Sequence, residues 1–300
     1  MRKLAIIGVP TSAGAHAPGQ ERAPEAFRRA GIVELLGGHG FVVDDRGDLP
    51  KVRWTPDQLN PRAQHFEQVA DVAKEVDSAV LLACETSDAV LVLGGDCTIE
   101  VGVVSAFARR GERVGLVYFD AGFDLNVPSS VRLGFLDWMG TARLLGLPEA
   151  TEPLSHLGPK YPLIDPEQIV FVGAVPDELT DWERHLLDDK GLQVIWSDHV
   201  RSDPVSAAHE ALRGVEAGVD RILVHFDLDV IDFLDFPAAD FPTINAGITF
   251  ADALSCIREF TRHPKFGALT ICEFNPDHVD EDDLAVRRFV EGVIATMPRP

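Results

Sequence analysis

Seven short and almost wholly apolar runs leave this chain few folds to choose from. They span residues 4–8, 89–93, 114–119, 169–173, 193–196, 222–226 and 268–272. A strand with one wet face alternates apolar and polar residues, whereas a strand that is apolar at nearly every position is covered on both faces. Between the runs lie segments of helical period: 24–30, 63–76, 98–109, 180–188, 204–215, 250–260 and 282–297. Asp203 before Pro204 reads as a helix N-cap followed by proline at the first helical position. Runs and helical segments alternate, which predicts the α/β class with a sheet buried on both sides. No fixed-period repeat and no compositional break interrupts residues 1–300, so a single domain is expected. Residues 47–61 read as an irregular surface excursion.

Acids cluster where these runs stop. Gly94-Gly95-Asp96-Cys97 follows the second run, Asp120-Ala121-Gly122-Phe123-Asp124 the third, and Asp227-Leu228-Asp229-Val230-Ile231-Asp232 the sixth; Glu273 follows the last. Carboxylates are seldom buried unless they are paired or hold a metal. In open α/β sheets ligands bind beyond the carboxyl ends of the strands. Together the clusters predict one shared site for divalent metal. Were the sixth strand to continue, Asp227 and Asp229 would point to one face, and His225 with them. His225 directly follows an apolar strand and is read as a satisfied core or outer-shell histidine rather than a ligand. Cys97 reads equally as an inert buried thiol or as a ligand. Two oxygen-bound metals would lower the pKa of a bridging water enough to give hydroxide near neutral pH. The glycines at 94–95 start no phosphate-loop or dinucleotide pattern.

A formal net charge of -21 argues against nonspecific nucleic-acid binding and against an anionic membrane surface. No stretch approaches the roughly 18 apolar residues of a membrane span. The four cysteines, Cys84, Cys97, Cys256 and Cys272, form no Cys-x-x-Cys. With no secretory leader read at the start, they predict a reducing cytoplasm.

At these motifs the chain resembles the ureohydrolase superfamily of arginases, agmatinases and formimidoylglutamases. The resemblance covers nearly the whole chain. Gly8-Val9-Pro10 and Gly19-Gln20-Glu21-Arg22-Ala23-Pro24 are similar to the family's opening segment, and Glu273-Phe274-Asn275-Pro276 to its late glutamate motif. The resemblance implies a three-layer α/β/α fold around a mostly parallel eight-stranded sheet, assembled as a homo-trimer or homo-hexamer. It implies one or two manganese ions. Asp120, Asp124 and Asp227 would contact one ion, joined by Cys97 if it coordinates; Asp120, Asp227 and Asp229 would contact the other. Asp124 would orient the hydroxide and Glu273 would hold the guanidinium of a small guanidino-type substrate, giving urea and an amine.

The departures from the family pattern are equally specific. Cys97 and Gly122 stand where the family has metal-binding histidines, and Asp137 falls near the histidine that arginases use for proton transfer. The family usually has a small residue at 225, so His225 inherits no role. Asn126 matches a substrate-recognition residue, while Leu133 stands where arginases often have serine. Glu178 offers a carboxylate for a substrate ammonium and Arg132 a cation for a substrate carboxylate; each reads equally as a solvated surface residue. Two functions follow. One is a metal-dependent hydrolase of a linear C–N bond. The other is a non-catalytic family member acting as a structural or ligand-binding subunit.

Overall fold

Successive residues of the apolar runs feed two different cores. Leu4 and Ile6 pack on one side of the sheet and Ala5 and Ile7 on the other; Val117 and Phe119 join the first core, Leu116 and Tyr118 the second. That two-sided burial is the reason the runs carry no polar alternation. The structure is a computed structural model describing residues 2–150, 154, 157–279 and 284–299.

Eight strands form one sheet: β1 (Lys3–Gly8), β2 (Val42–Asp48), β3 (Ala89–Leu93), β4 (Val114–Phe119), β5 (Ile169–Ala174), β6 (Gln193–Trp196), β7 (Arg221–Asp227) and β8 (Phe266–Cys272). Their spatial order is β2-β1-β3-β8-β7-β4-β5-β6. Every pairing is parallel. The helices are α1 (Ala23–Arg29), α2 (Ile32–His39), α3 (Phe66–Cys84), α4 (Ile99–Arg109), α5 (Gly140–Leu144), α6 (Asp181–Lys190), α7 (Ser197–Ser202), α8 (Pro204–Val215), α9 (Phe250–Arg262) and α10 (Leu284–Thr296). Buried residues of α1, α2, α8, α9 and α10 belong to the first core and those of α3 to α6 to the second, so the sheet lies between two helical layers. No helix among the described residues is long and apolar enough to cross a membrane.

The seven runs are strands, and Asp203 caps α8 by accepting the Ser206 N–H at 3.0 Å. The eighth strand was missed. β2 reads Val-Val-Asp-Asp-Arg-Gly-Asp and is largely exposed, because it is an edge strand whose charged side chains face water. It takes residues 47 and 48 out of the expected irregular excursion. α3 runs eight residues past its predicted end at 76, carried by buried Val80 and Ala83. The predicted start of the last helix, at 282, lies outside the described residues.

The strand order sets the site. β8 and β7 are inserted between β3 and β4, so the carboxyl ends of four adjacent strands meet at the centre of the sheet, at the reversal of chain order where α/β sheets bind ligands.

Candidate metal and ligand site

Each of those four ends delivers a chemical group. Asp120 follows β4, Asp227 ends β7, Glu273 follows β8, and Cys97 comes four residues after β3. The Gly94-Gly95 turn is structural. A Cβ on Gly95 would lie 2.0 Å from the Thr11 carbonyl oxygen, and one on Gly94 2.5 Å from that of Ile271. Only glycine lets the loop thread between its neighbours. Asp96 turns away into this loop, accepting from the Gly14 N–H at 2.9 Å and from the Thr98 hydroxyl. The first acidic motif therefore contributes Cys97 to the site rather than its aspartate.

The Cys97 thiol donates to Asp227 Oδ2 at 2.8 Å. Glu273 is held at both oxygens: Oε1 accepts from the Cys97 N–H at 3.1 Å and Oε2 from Gln20 Nε2 at 2.9 Å. Asp124 accepts the Tyr118 hydroxyl. Asp124 and Glu273 both sit at positive φ, 52° and 60°. Left-handed backbone on non-glycine residues costs roughly 1–3 kcal/mol and gathers at functional sites.

β7 stops at Asp227, which corrects the picture of one strand carrying both acids. A short turn over Leu228–Val230 follows, in which Asp227 Oδ1 accepts the Asp229 N–H at 2.7 Å. Asp229 swings toward β4 and accepts the Ala121 N–H at 3.1 Å.

His225 is fully buried between the layers, its ring stacked on Tyr118 with centroids 4.1 Å apart. Its Nδ1 lies 3.5 Å from Glu100 Oε2 on α4 and its Nε2 lies 4.0 Å from Asp120 Oδ2. Among the described residues, neither Nε2 nor that Asp120 oxygen has a hydrogen-bond partner. The reading of a satisfied core histidine is therefore corrected. Ligand atoms of Cys97, Asp120, His225 and Asp227 all fall within 4.8 Å of one another. Of the metal residues expected from sequence, Cys97, Asp120 and Asp227 enter this group, and Asp124 and Asp229 flank it on the cavity walls. His225 was read as a core or outer-shell residue, although its spacing of two from Asp227 had placed it on the same face as the acids.

Burial is the main force on the acids here. It raises the pKa of Asp120, with the charges of Asp229 and Asp227 adding to it. It likewise raises Asp124, Asp227, Asp137 and Glu273. Burial disfavours a charged His225, yet Cys272 and Glu100 lift its pKa well above the ordinary value. Burial pushes Asp229 up to about 6. A carboxyl raised on folding adds stability that is complete below its unfolded pKa and is lost as pH rises through the folded one. For Asp229 that window runs from about 4 to about 6. The side chain is only half-buried, so solvent screening holds the effect to about 1–2 kcal/mol. Urea titrations of metal-free protein at several pH values should show this decline and a flatter profile for Asp229→Asn; identical profiles would refute it.

Two cavities open here, with Asp124, Trp138, Asp229 and Phe241 in the walls of both. The smaller, about 30 Å³, is lined by Cys97, Asp124, Asp137, Asp227, Asp229 and Glu273, with His16, Trp138 and Phe241 closing it. It has room for a water molecule or an ion. The larger, about 200 Å³, has carboxylates from Asp120, Asp124, Glu178, Glu183 and Asp229, the Asn126 amide, aromatic walls from Phe123, Trp138 and Phe241, and no lysine or arginine among the described residues of its lining. Asn126 Oδ1 accepts hydroxyls from Ser130 and Thr180, each at 3.0 Å. Arg132 is exposed and lines neither cavity. Glu183 was not anticipated, although Thr180-Asp181-Trp182-Glu183 is a legible capping box and the structure forms it at the start of α6.

At position 122 a Cβ would fit. A Cβ on Gly122 would lie 3.4 Å from Asp120 Oδ1 and 3.9 Å from Asp124 Oδ1, ordinary contacts aimed at the acids. Two manganese ions of the kind the family resemblance implies do not fit this donor set. One ligand position holds no side chain, and another holds sulfur, a soft donor poorly matched to manganese.

A parallel α/β/α sheet whose central carboxyl ends gather acids, a thiol and an imidazole defines a ureohydrolase-type protein with an altered ligand cluster. A profile of the arginase family matches residues 2–294. The arginase of Bacillus caldovelox is 27% identical over 279 residues, 92% of each chain. Its crystal structure superposes with a TM-score of 0.86 at 26% identity, covering 99% of this chain and 97% of that one. An Entamoeba histolytica arginase solved in complex with L-ornithine superposes with a TM-score of 0.87 at 24% identity, covering 99% and 98%. The chain belongs to the arginase family.

Proposed function

We propose that this protein is a ligand-binding arginase-family member without two-manganese hydrolysis, holding a small guanidinium- or amine-bearing molecule in its acidic cavity. The observation that carries the reading is the ligand position at Gly122, which has room for a Cβ and has no side chain. Glu273 supports it, because the carboxylate expected to grip a guanidinium already accepts from Gln20 and Cys97. The larger cavity supplies the chemistry for a cation. Its carboxylates offer paired acceptors to a planar, multiply donating head group, and Trp138 and Phe241 offer aromatic faces. Glu178 and Asn126 at its wall face the rest of such a ligand. Within this reading one domain spans residues 1–300, the chain assembles as a homo-trimer or homo-hexamer, and it works in the cytoplasm on small molecules rather than nucleic acid.

Calorimetry with L-arginine, agmatine and L-ornithine, paired with urea release at excess manganese, tests the reading. The expected result is saturable binding of at least one of these cations, weakened about tenfold or more by Glu178→Gln, with no urea above a protein-free control. Manganese-dependent urea release that disappears in Asp227→Ala would overturn it in favour of the hydrolase.

A further inference from the structure

The buried centre carries an arrangement that the family pattern does not supply. His225 Nε2 and Asp120 Oδ2 are both buried, both without a hydrogen-bond partner among the described residues, and face each other at 4.0 Å. Two unsatisfied buried polar atoms would each carry a desolvation cost. A tetrahedral ion about 2 Å from each would hold them roughly 3.3 Å apart, so a small turn of the two side chains that closes this gap would satisfy both. Cys97 Sγ and an Asp227 oxygen complete a group of four donors within 4.8 Å. On the other side of the ring, Nδ1 faces Glu100, whose oxygens have no hydrogen bond among the described residues. A carboxylate behind the second nitrogen places the ring proton on Nδ1 and leaves the Nε2 lone pair for a metal. Tyr118 stacked on the ring fixes its plane. Cys272 lies on the Nδ1 side, 3.9 Å away, so it does not share the Nε2 coordination position.

We propose that Cys97, Asp120, His225 and Asp227 form a closed, roughly tetrahedral site for one zinc-class dication, with Glu100 as the residue that positions His225. One sulfur, one nitrogen and two oxygens suit zinc or cobalt(II) better than manganese. Four protein ligands leave no open position for a reactive water, as in structural zinc sites. On binding, the thiol proton that Cys97 now shares with Asp227 leaves to solvent as the metal–sulfur bond forms. The site thus replaces a two-ion hydrolytic centre with one ion that neutralises the buried acids beside the ligand cavity. This inference rests on the reading that the two-manganese centre is lost.

The test is metal content and cobalt(II) spectroscopy on the purified, full-length chain. One zinc per chain after dialysis is expected. Cobalt should give intense tetrahedral ligand-field bands and a sulfur-to-cobalt charge-transfer band. Cys97→Ser should abolish the charge-transfer band, and Cys84→Ser, at the end of α3, should keep it. His225→Gln should weaken zinc binding by more than about 100-fold. Glu100→Gln should keep the charge-transfer band with affinity about 10–100-fold lower, as removal of an outer partner does. The wild-type spectrum decides the matter even if a variant fails to fold. A cobalt complex without sulfur charge transfer overturns the proposal. No ion of any kind also overturns it, while leaving the ligand-binding reading intact. Two manganese ions per chain with urea release overturn both.

Discussion

Replacing Cys97 and Gly122 together by histidine is expected to convert the chain into one that takes up two manganese ions, each about 100-fold or more tighter than the parent binds that metal. Each substitution acts at a first ligand position, where effects exceed the roughly 10–100-fold typical of outer partners. The backbone accepts both changes. Gly122 does not sit at positive φ, and a Cβ there makes ordinary contacts with the Asp120 and Asp124 carboxylates. Cys97 borders the small cavity, which gives a larger ring room to turn toward Asp227. Imidazole in place of sulfur also moves the donor set toward manganese. Elemental analysis and calorimetry on the double variant, with the single variants beside it, read the outcome. A double variant that binds no more manganese than the parent would show that ligand identity at 97 and 122 is not what separates this site from a two-ion one. Uptake of manganese need not bring hydrolysis, because Glu273 remains tied to Gln20 and the small cavity is lined by the Asp137 carboxyl.

Phe289→Ala is expected to cost about 3–5 kcal/mol, the usual range for a large aromatic removed from a packed core. Phe289, on α10, is 1% exposed. Its ring contacts Phe27, Phe226, Phe236, Phe250 and Phe274 at centroid distances between 5.2 and 6.2 Å. Removing it leaves a hole that five rings would each have to move to fill, and close packing limits that collapse. The damage should reach the site, since Phe226 precedes Asp227 and Phe274 follows Glu273. Urea unfolding of the metal-free variant gives the stability loss, and zinc titration gives the coupled loss of affinity. A stability change below about 1 kcal/mol would mean that the aromatic cluster repacks freely.

What was legible in the sequence was whatever depends on local pattern. The apolar runs marked seven strands because each is buried on both faces, and β2 stayed hidden because an edge strand needs no apolar face. The acids after β4, β7 and β8 marked the site because carboxylates at strand ends are conspicuous without knowing which strands are neighbours. Even so, Asp96 looked like part of the cluster and is a loop anchor, held by the Gly14 N–H and the Thr98 hydroxyl.

The sequence by itself determined the α/β class, the family resemblance and the loss of two ligand histidines, all of which are written in residue type and spacing. The tertiary structure alone decided what took their place. His225 stands between two acids only because β7 pairs with β4, which sets Asp120 against one ring nitrogen, and because α4 lies over the sheet, which sets Glu100 against the other. Glu100 is 125 residues from His225, and no local spacing encodes a contact made by two elements stacked in different layers.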